Sequence, residues 1–312
     1  MSSVAPAVDV RLKSVLIAFD FSEASHKPLR HAIAIARHYG AKFYLAHVVS
    51  SIGFAIAGAE ALQLAYERAL RDAHQLEHGL LQDGSLAGLD HRFIVSEGDV
   101  WDELHNIIAA ERIELVVLGT HGRRGLGKLL LGSVAERICR QADCLVLTVG
   151  PWSFRDARLE LNRPNRSFLF ATDFGEASLK ALPFAISSAN HFEARLILLH
   201  VVPPVPLPGG PVWVTSDDVA KNREETHIST LRRLEELAKH ADLKIEPQFV
   251  VEHGWAVNVS EKILTTAESL TVDAIIMGLH KSTHIGTASH MPGATAYEVV
   301  CRAGCPVLTV RS

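Results

Sequence analysis

Residues 20–49 read DFSEASHKPLRHAIAIARHYGAKFYLAHVV and residues 173–202 read DFGEASLKALPFAISSANHFEARLILLHVV, an ungapped match at an offset of 153. FIVSEG at 93–98 then matches FVVEHG at 249–254, and GSVAERICRQADCLVLTV at 132–149 matches GATAYEVVCRAGCPVLTV at 293–310. Because the order of matches holds from end to end, the chain is two copies of one unit, and whatever fold serves one copy must serve the other. With 312 residues in all, each copy has the length of an ordinary domain with its own core. The segment RDARLELNRPNR at 155–166 is polar, contains Pro164 and has no counterpart elsewhere, which makes it the natural linker. The expected division is a first domain over 1–151, a linker over 152–166 and a second domain over 167–312.

Within the first copy, short apolar runs alternate with longer amphipathic ones. Ser14 to Phe19, Lys42 to Val49, Arg92 to Ser96, Leu115 to Gly119 and Cys144 to Val149 read as strands. Glu23 to Tyr39, Glu60 to Leu81, Val100 to Ala110 and Ser133 to Arg140 carry helical spacing; Leu29, Ile33 and Ala36, for instance, share one face. Strands such as VLIAF and LVVLG are apolar on both faces, as expected where helices cover both sides of a parallel sheet. The fold class is therefore α/β: two tandem doubly wound, Rossmann-like units, each with a five-stranded parallel sheet flanked by helices. In such a sheet ligands bind at the carboxyl ends of the strands, where successive crossovers leave on opposite sides.

The formal charge of −4 gives no electrostatic reason to expect a nucleic-acid partner. Residues 1–10 carry neither a basic start nor a long apolar stretch, and no run approaches the roughly 20 residues of a membrane span, so a cytoplasmic location is expected, with no membrane partner. Cys139, Cys144, Cys301 and Cys305 form neither a paired metal motif nor a disulfide framework and read as buried thiols. Neither half carries a GxxxxGK[ST] loop, a GxSxG elbow or an early GxGxxG turn, and no catalytic constellation stands out.

The chemistry-bearing feature follows the fourth strand. Gly119-Thr-His121-Gly122-Arg123-Arg124-Gly-Leu-Gly-Lys128 leads to Leu131-Gly132-Ser133-Val134, with the spacing glycine, two residues, glycine, nine residues, glycine-serine. Glycines let backbone N–H groups converge on an anion, and Ser133 opens a helix whose positive end suits a phosphate. Arg123, Arg124 and Lys128 add positive charge beside it. A purely structural role for Ser133 and Glu136 is an S-x-x-E capping box. Asp20, at the end of the first strand, either bonds a ribose or adenine group or caps the helix that begins at Glu23. Taken together, the loop and the acid at one switch point favour a nucleotide site.

The combination of DFSEAS at 20–25, HVV at 47–49, the glycine loop and the final strand resembles the universal stress protein family over nearly the whole chain. The resemblance implies an adenine nucleotide alpha hydrolase-like fold and an ATP cofactor, with or without Mg. It implies that Ala18 and Asp20 line the ribose and adenine and that Val48 meets the base through its backbone. It implies further that Gly119, His121, Gly122, Gly132, Ser133 and Val134 hold the phosphates. The last strands, 144–149 and 305–310, are implied to pair antiparallel as an internal pseudo-dimer, and two chains to associate again as a homodimer.

The second copy departs at the loop. Gly278-Leu-His-Lys281 has lysine where the second glycine should stand, the stretch to Gly293 is two residues longer, and Ala294 replaces the serine hydroxyl. Thr295 and Glu298 leave a capping box shifted by two positions. Asp173, Phe174 and Val201 persist and are equally explained by fold maintenance. His280, His284 and His290 share that loop without a standard metal spacing, so no metal is expected there. His47 and His200 occupy equivalent strand ends and read as structural. Pro203 to Pro211 reads as a plain surface connection, and Ser50 to Ala59 as either a lid or a packing segment. The expected function is an ATP-binding regulatory stress-response module with one competent site, in the first domain. The alternatives are a slow ATP hydrolase or nucleotidyl transferase using His121 or Asp20, and a non-binding interaction scaffold.

Overall fold

The computed structural model describes residues 11–54, 57–120, 131–151, 164–203, 216–239, 241–254, 258–279 and 295–311. The first half runs β1 (Ser14–Ala18), α1 (Glu23–Tyr39), β2 (Lys42–Ser50), a 3-10 turn (Ser51–Phe54), α2 (Ala59–Gln82), β3 (His91–Gly98), α3 (Val100–Ala110), β4 (Leu115–Gly119), α4 (Ser133–Gln141) and β5 (Leu145–Val149). The second half runs β6 (Arg166–Ala171), α5 (Glu176–His191), β7 (Ala194–Val202), α6 (Ser216–Ala238), β8 (Gln248–His253), α7 (Val259–Ser269), β9 (Ala274–Leu279), α8 (Thr295–Arg302) and β10 (Val307–Arg311). Among the described residues, no helix is long and apolar enough to cross a membrane.

The strands form one sheet of ten in the order β3-β2-β1-β4-β5-β10-β9-β6-β7-β8. Every pairing is parallel except the central one, where β5 and β10 run antiparallel with Val307 opposite Thr148, Leu308 opposite Leu147 and Thr309 opposite Val146. The expected strand pairing between the copies is thus present. It is reinforced by a matched pair of buried hydroxyls, Thr148 Oγ1 donating to Val307 O at 3.3 Å and Thr309 Oγ1 donating to Val146 O at 3.2 Å. Each half thereby covers the sheet edge that the other would leave open.

Alternation along the strands sorts side chains to two faces. Val15, Ile17 and Phe19 of β1 and its continuation join Leu29, Ile33 and Ala36 of α1 on one face, while Leu16 joins Trp101, Leu104 and Ile138 of α3 and α4 on the other. On the α3/α4 face a single core continues through Ile263, Ile275, Val299 and Val307 of the second half. On the α1 face the halves keep separate cores that share Leu145 and Leu308 at their margins. Between those two cores lies an apolar cavity of about 150 Å³, lined by Ile35, Leu147, Phe184 and Leu308 among others, which is the seam and not the strand ends.

Helix termini follow local chemistry. Asp99 caps α3 by accepting from the N–H groups of Trp101 (3.0 Å) and Asp102 (3.2 Å), and Asn258 caps α7 by accepting from Ser260 N–H (3.4 Å). Gly40 ends α1 in the left-handed region at φ 63°, returning its N–H to Ala36 and Arg37 carbonyls. Arg166, the last residue of the polar segment between the copies, begins β6, is buried, and donates to Phe192 O at 3.1 Å.

Candidate functional site

The first half changes crossover side between β1 and β4. Chain order runs from β1 outward to β2 and β3, then returns to β4 on the other flank of β1, where Ile17 lies opposite Val117. α1 and α2 cover one face and α3 and α4 the other. The carboxyl ends of β1 and β4 are therefore neighbours, with Ala18 and Asp20 leaving one strand and Gly119 and Thr120 leaving the other. β2 flanks β1 on its far side, carrying Val48 two positions past Ala46, the partner of Ala18.

The glycine loop departs and returns at one point. Thr120, wholly buried, donates its N–H to Val149 O (3.3 Å) and accepts from Gly132 N–H (2.9 Å), so the two ends of the loop are hydrogen-bonded together. Residues 121–130 lie outside the described residues, and with them His121, Gly122, Arg123, Arg124 and Lys128. Gly132 is the N-cap of α4, in extended backbone, and Ser133, exposed, is its first helical residue. The N–H groups of Ser133 and Val134 belong to the first turn, which no intrahelical carbonyl serves.

This corrects the expected capping box. With Gly132 as the cap, Ser133 makes no side-chain cap bond, and Glu136 instead accepts from Arg140 at 3.1 Å one turn along. The box expected at Thr295 and Glu298 is absent too. Thr295 is already helical, and Glu298 crosses to α7, accepting from Ser260 Oγ and from Asn258 Nδ2 (3.1 Å).

Asp20 is half-buried and organises the turn after β1. Its Oδ1 accepts from Ser22 N–H (3.0 Å), Ser22 Oγ (2.6 Å) and Ser25 Oγ. Asp173 repeats the arrangement, accepting from Gly175 N–H at 2.8 Å and Ser178 Oγ at 2.7 Å. The intervening residue is left-handed in both copies, Phe21 at φ 58° and Phe174 at φ 60°, an unfavourable backbone for an aromatic residue. A histidine steadies each turn: His47 Nδ1 lies 2.7 Å from Phe19 O, and His200 Nδ1 2.8 Å from Thr172 O. Facing a carbonyl, that nitrogen must carry the proton and donate. The rings of Phe21 and Phe174 pack 4.7 Å from His47 and His200 respectively. His200 titrates below the ordinary histidine range, chiefly because burial disfavours its cation. The two histidines are thus structural.

The halves differ in how far the strand ends are open. Ala18, Val48 and Val134 are half-buried hydrophobics at the rim of the shared core, so the first half has an apolar, accessible floor beside the α4 N-terminus. Their second-half counterparts on β6 and β7, Ala171 and Val201, are each only 6% exposed. Gly278, the counterpart of Gly119, is explained by packing: a Cβ there would meet Ala177 O at 2.2 Å. The rest of that loop, including His280, His284 and His290, lies outside the described residues.

Three features of this region carry no mark in the sequence pattern: the Thr120–Gly132 closure, the left-handed Phe21, and the openness of Ala18 and Val48. The recurrence of phenylalanine at 21 and 174 directly after the aspartate is the one available signal.

The universal stress protein family model matches twice, over residues 11–150 and 164–311. A universal stress protein of Methanocaldococcus jannaschii is 31% identical over 138 residues, spanning 44% of this chain and 81% of its own. One of Thermus aquaticus is 25% identical over 138 residues, spanning 44% of this chain and 98% of its own. The crystal structure of a universal stress protein from Archaeoglobus fulgidus shares the whole architecture, with a TM-score of 0.68 at 21% identity and 96% coverage of both chains. Duplicated motif, continuous ten-stranded sheet and two family matches agree: the chain belongs to the universal stress protein family and carries that family's domain twice.

Proposed function

We propose that the first half binds ATP or a related adenine nucleotide at the β1/β4 switch point and that the protein works as a cytoplasmic, ligand-reporting stress-response module. The observation that carries this reading is the open apolar floor of Ala18, Val48 and Val134 directly beside the first-turn N–H groups of α4. A base needs an apolar surface with backbone groups at its edge, and phosphates need N–H donors at a positive helix end. Asp20, Gly119, His121, Gly122, Arg123, Gly132 and Ser133 complete the proposed site. Mg would accompany the phosphates as a counter-ion. Burial of Ala171 and Val201 supports a single site per chain.

Calorimetric titration with ATP tests the reading. The expected result is one site per chain, weakened at least tenfold by Gly132→Val, which sets a branched side chain at the cap of α4. Two equivalent sites would overturn the asymmetry, and absence of both heat and thermal shift at millimolar nucleotide would overturn binding itself. Multiple-turnover release of ADP or AMP would reassign the protein as a hydrolase or transferase.

A further inference from the structure

Among the described residues, the second half meets the returning end of the first half's loop at Leu131. Leu131, buried and immediately before the Gly132 cap, donates its N–H to Tyr297 Oη at 3.3 Å across 166 residues of chain. Tyr297 stands on α8, half-buried and packed against the core that runs through both halves. The Cys301 thiol stands one turn along the same helix, near enough for the two groups to perturb each other. Oη thus serves as the acceptor of the Leu131 N–H. The residues of the brace are not repeated in the first half. At the register of Tyr297 the first half has Glu136, and at that of Cys301 it has Arg140, and these two pair with each other at 3.1 Å within α4.

Thr120 holds Gly132, and Tyr297 holds Leu131, so consecutive N–H groups at the returning end of the loop are anchored by different halves. The next two N–H groups, of Ser133 and Val134, are those offered to a phosphate. Leu131 and Gly132 together set the path by which the chain enters the first helical turn, so loss of either anchor changes where those two N–H groups point.

We propose that Tyr297 is a positioning residue through which the second half sets the nucleotide affinity of the first. This rests on the nucleotide reading of the first half. The second half then acts as a built-in regulator of a site it does not itself contain. Any partner or ligand that moves α8 alters affinity 166 residues away in sequence.

The test uses the full chain. Tyr297→Phe keeps the ring and removes the hydroxyl; because the Cys301 sulfur lies near the same N–H, Tyr297→Phe is also combined with Cys301→Ala. ATP affinity by calorimetry is expected to fall about threefold in the single variant and about tenfold in the double, the range that one lost hydrogen bond spans. Ile263→Val, which trims the same core on α7, controls for lowered stability and is expected to leave affinity within twofold of the parent. In nucleotide-free protein, hydrogen exchange at the Leu131 amide is expected to quicken in both Tyr297 variants and not in Ile263→Val. Parent-like affinity in the double variant, with the parent binding ATP, overturns the proposal. If the parent binds no nucleotide, the nucleotide reading falls and this regulation with it. The exchange arm still judges the brace alone, and unchanged Leu131 exchange shows that Tyr297 does not hold the loop.

Discussion

Equivalent positions in the two copies hold the same backbone with different residues, which exposes the cost of each choice. Gly40 follows α1 at φ 63°, and Glu193, at the same place after α5, takes φ 48°. A side chain in the left-handed region costs about 1 kcal/mol relative to glycine. Glu193 is exposed and its N–H reaches Asn190 O at 3.4 Å, so its conformation serves the turn and not a contact of the side chain. Glu193→Gly is therefore expected to stabilise the protein by about 1 kcal/mol, read as a higher denaturant midpoint at constant slope. His200 contributes to the pH dependence, in the same direction as His38 and His253, whose pKa values burial also lowers. Its pKa is lowered in the fold, so the unfolded chain protonates first as pH drops below the ordinary value of 6.5. Above that value both states are neutral and the residue contributes nothing; below it stability falls until the folded histidine also titrates. Melting temperature is expected to decline from pH 7.5 to 5.5, and His200→Gln, unable to titrate, to flatten that decline. A decline of equal depth in the variant would remove His200 from the account.

At the scale of elements, periodicity is a strong guide where a helix packs one face on a sheet. Helices expected over Glu23–Tyr39 and Val100–Ala110 have those bounds, and the first-half strands expected from apolar runs differ from the observed ones by two residues or fewer. Helix starts were harder to read. S-x-x-E at Ser133 fits a capping box one residue out of register, because glycine and serine are both good caps and only the backbone decides between them. The openness of the candidate site was not legible at all. Alanine and valine occupy the same strand positions in both copies, yet Ala18 and Val48 are half-buried where Ala171 and Val201 are buried. The cap assignment makes a prediction that separates the alternatives. Asp99→Ala removes two cap bonds and is expected to cost about 1 kcal/mol, whereas Ser133→Ala should leave unfolding free energy within about 0.3 kcal/mol of the parent while weakening ATP binding. A loss at Ser133 equal to that at Asp99 would restore the capping box.

For the whole molecule, the core on the α3/α4 face crosses the seam without interruption, from Trp101 and Ile138 to Val299 and Val307. Two domains joined only by a linker melt separately; two that share a core lose it together. The thiols report this directly. Burial pushes Cys139 up to about 12 and Cys301 up to about 11, so both stay protonated and unreactive until the structure opens. Pulsed thiol alkylation along a urea titration, read by mass spectrometry, is expected to label Cys139 of the first half and Cys301 of the second at one midpoint. Two separated midpoints would show that the halves are independent folding units.

The antiparallel seam at β5 and β10 also bears on how such a protein can change over generations. Were the two copies separate chains, any substitution would appear on both sides of the pair at once, and a damaged loop would damage both. Joined in one chain, each copy is held against a permanent neighbour at an effective concentration that no exchange with other molecules can dilute. Substitutions on one side are then never mirrored on the other. A lysine at 281, an alanine at 294 and a tyrosine at 297 could accumulate in one copy while the glycines and the serine of its neighbour stayed as they were.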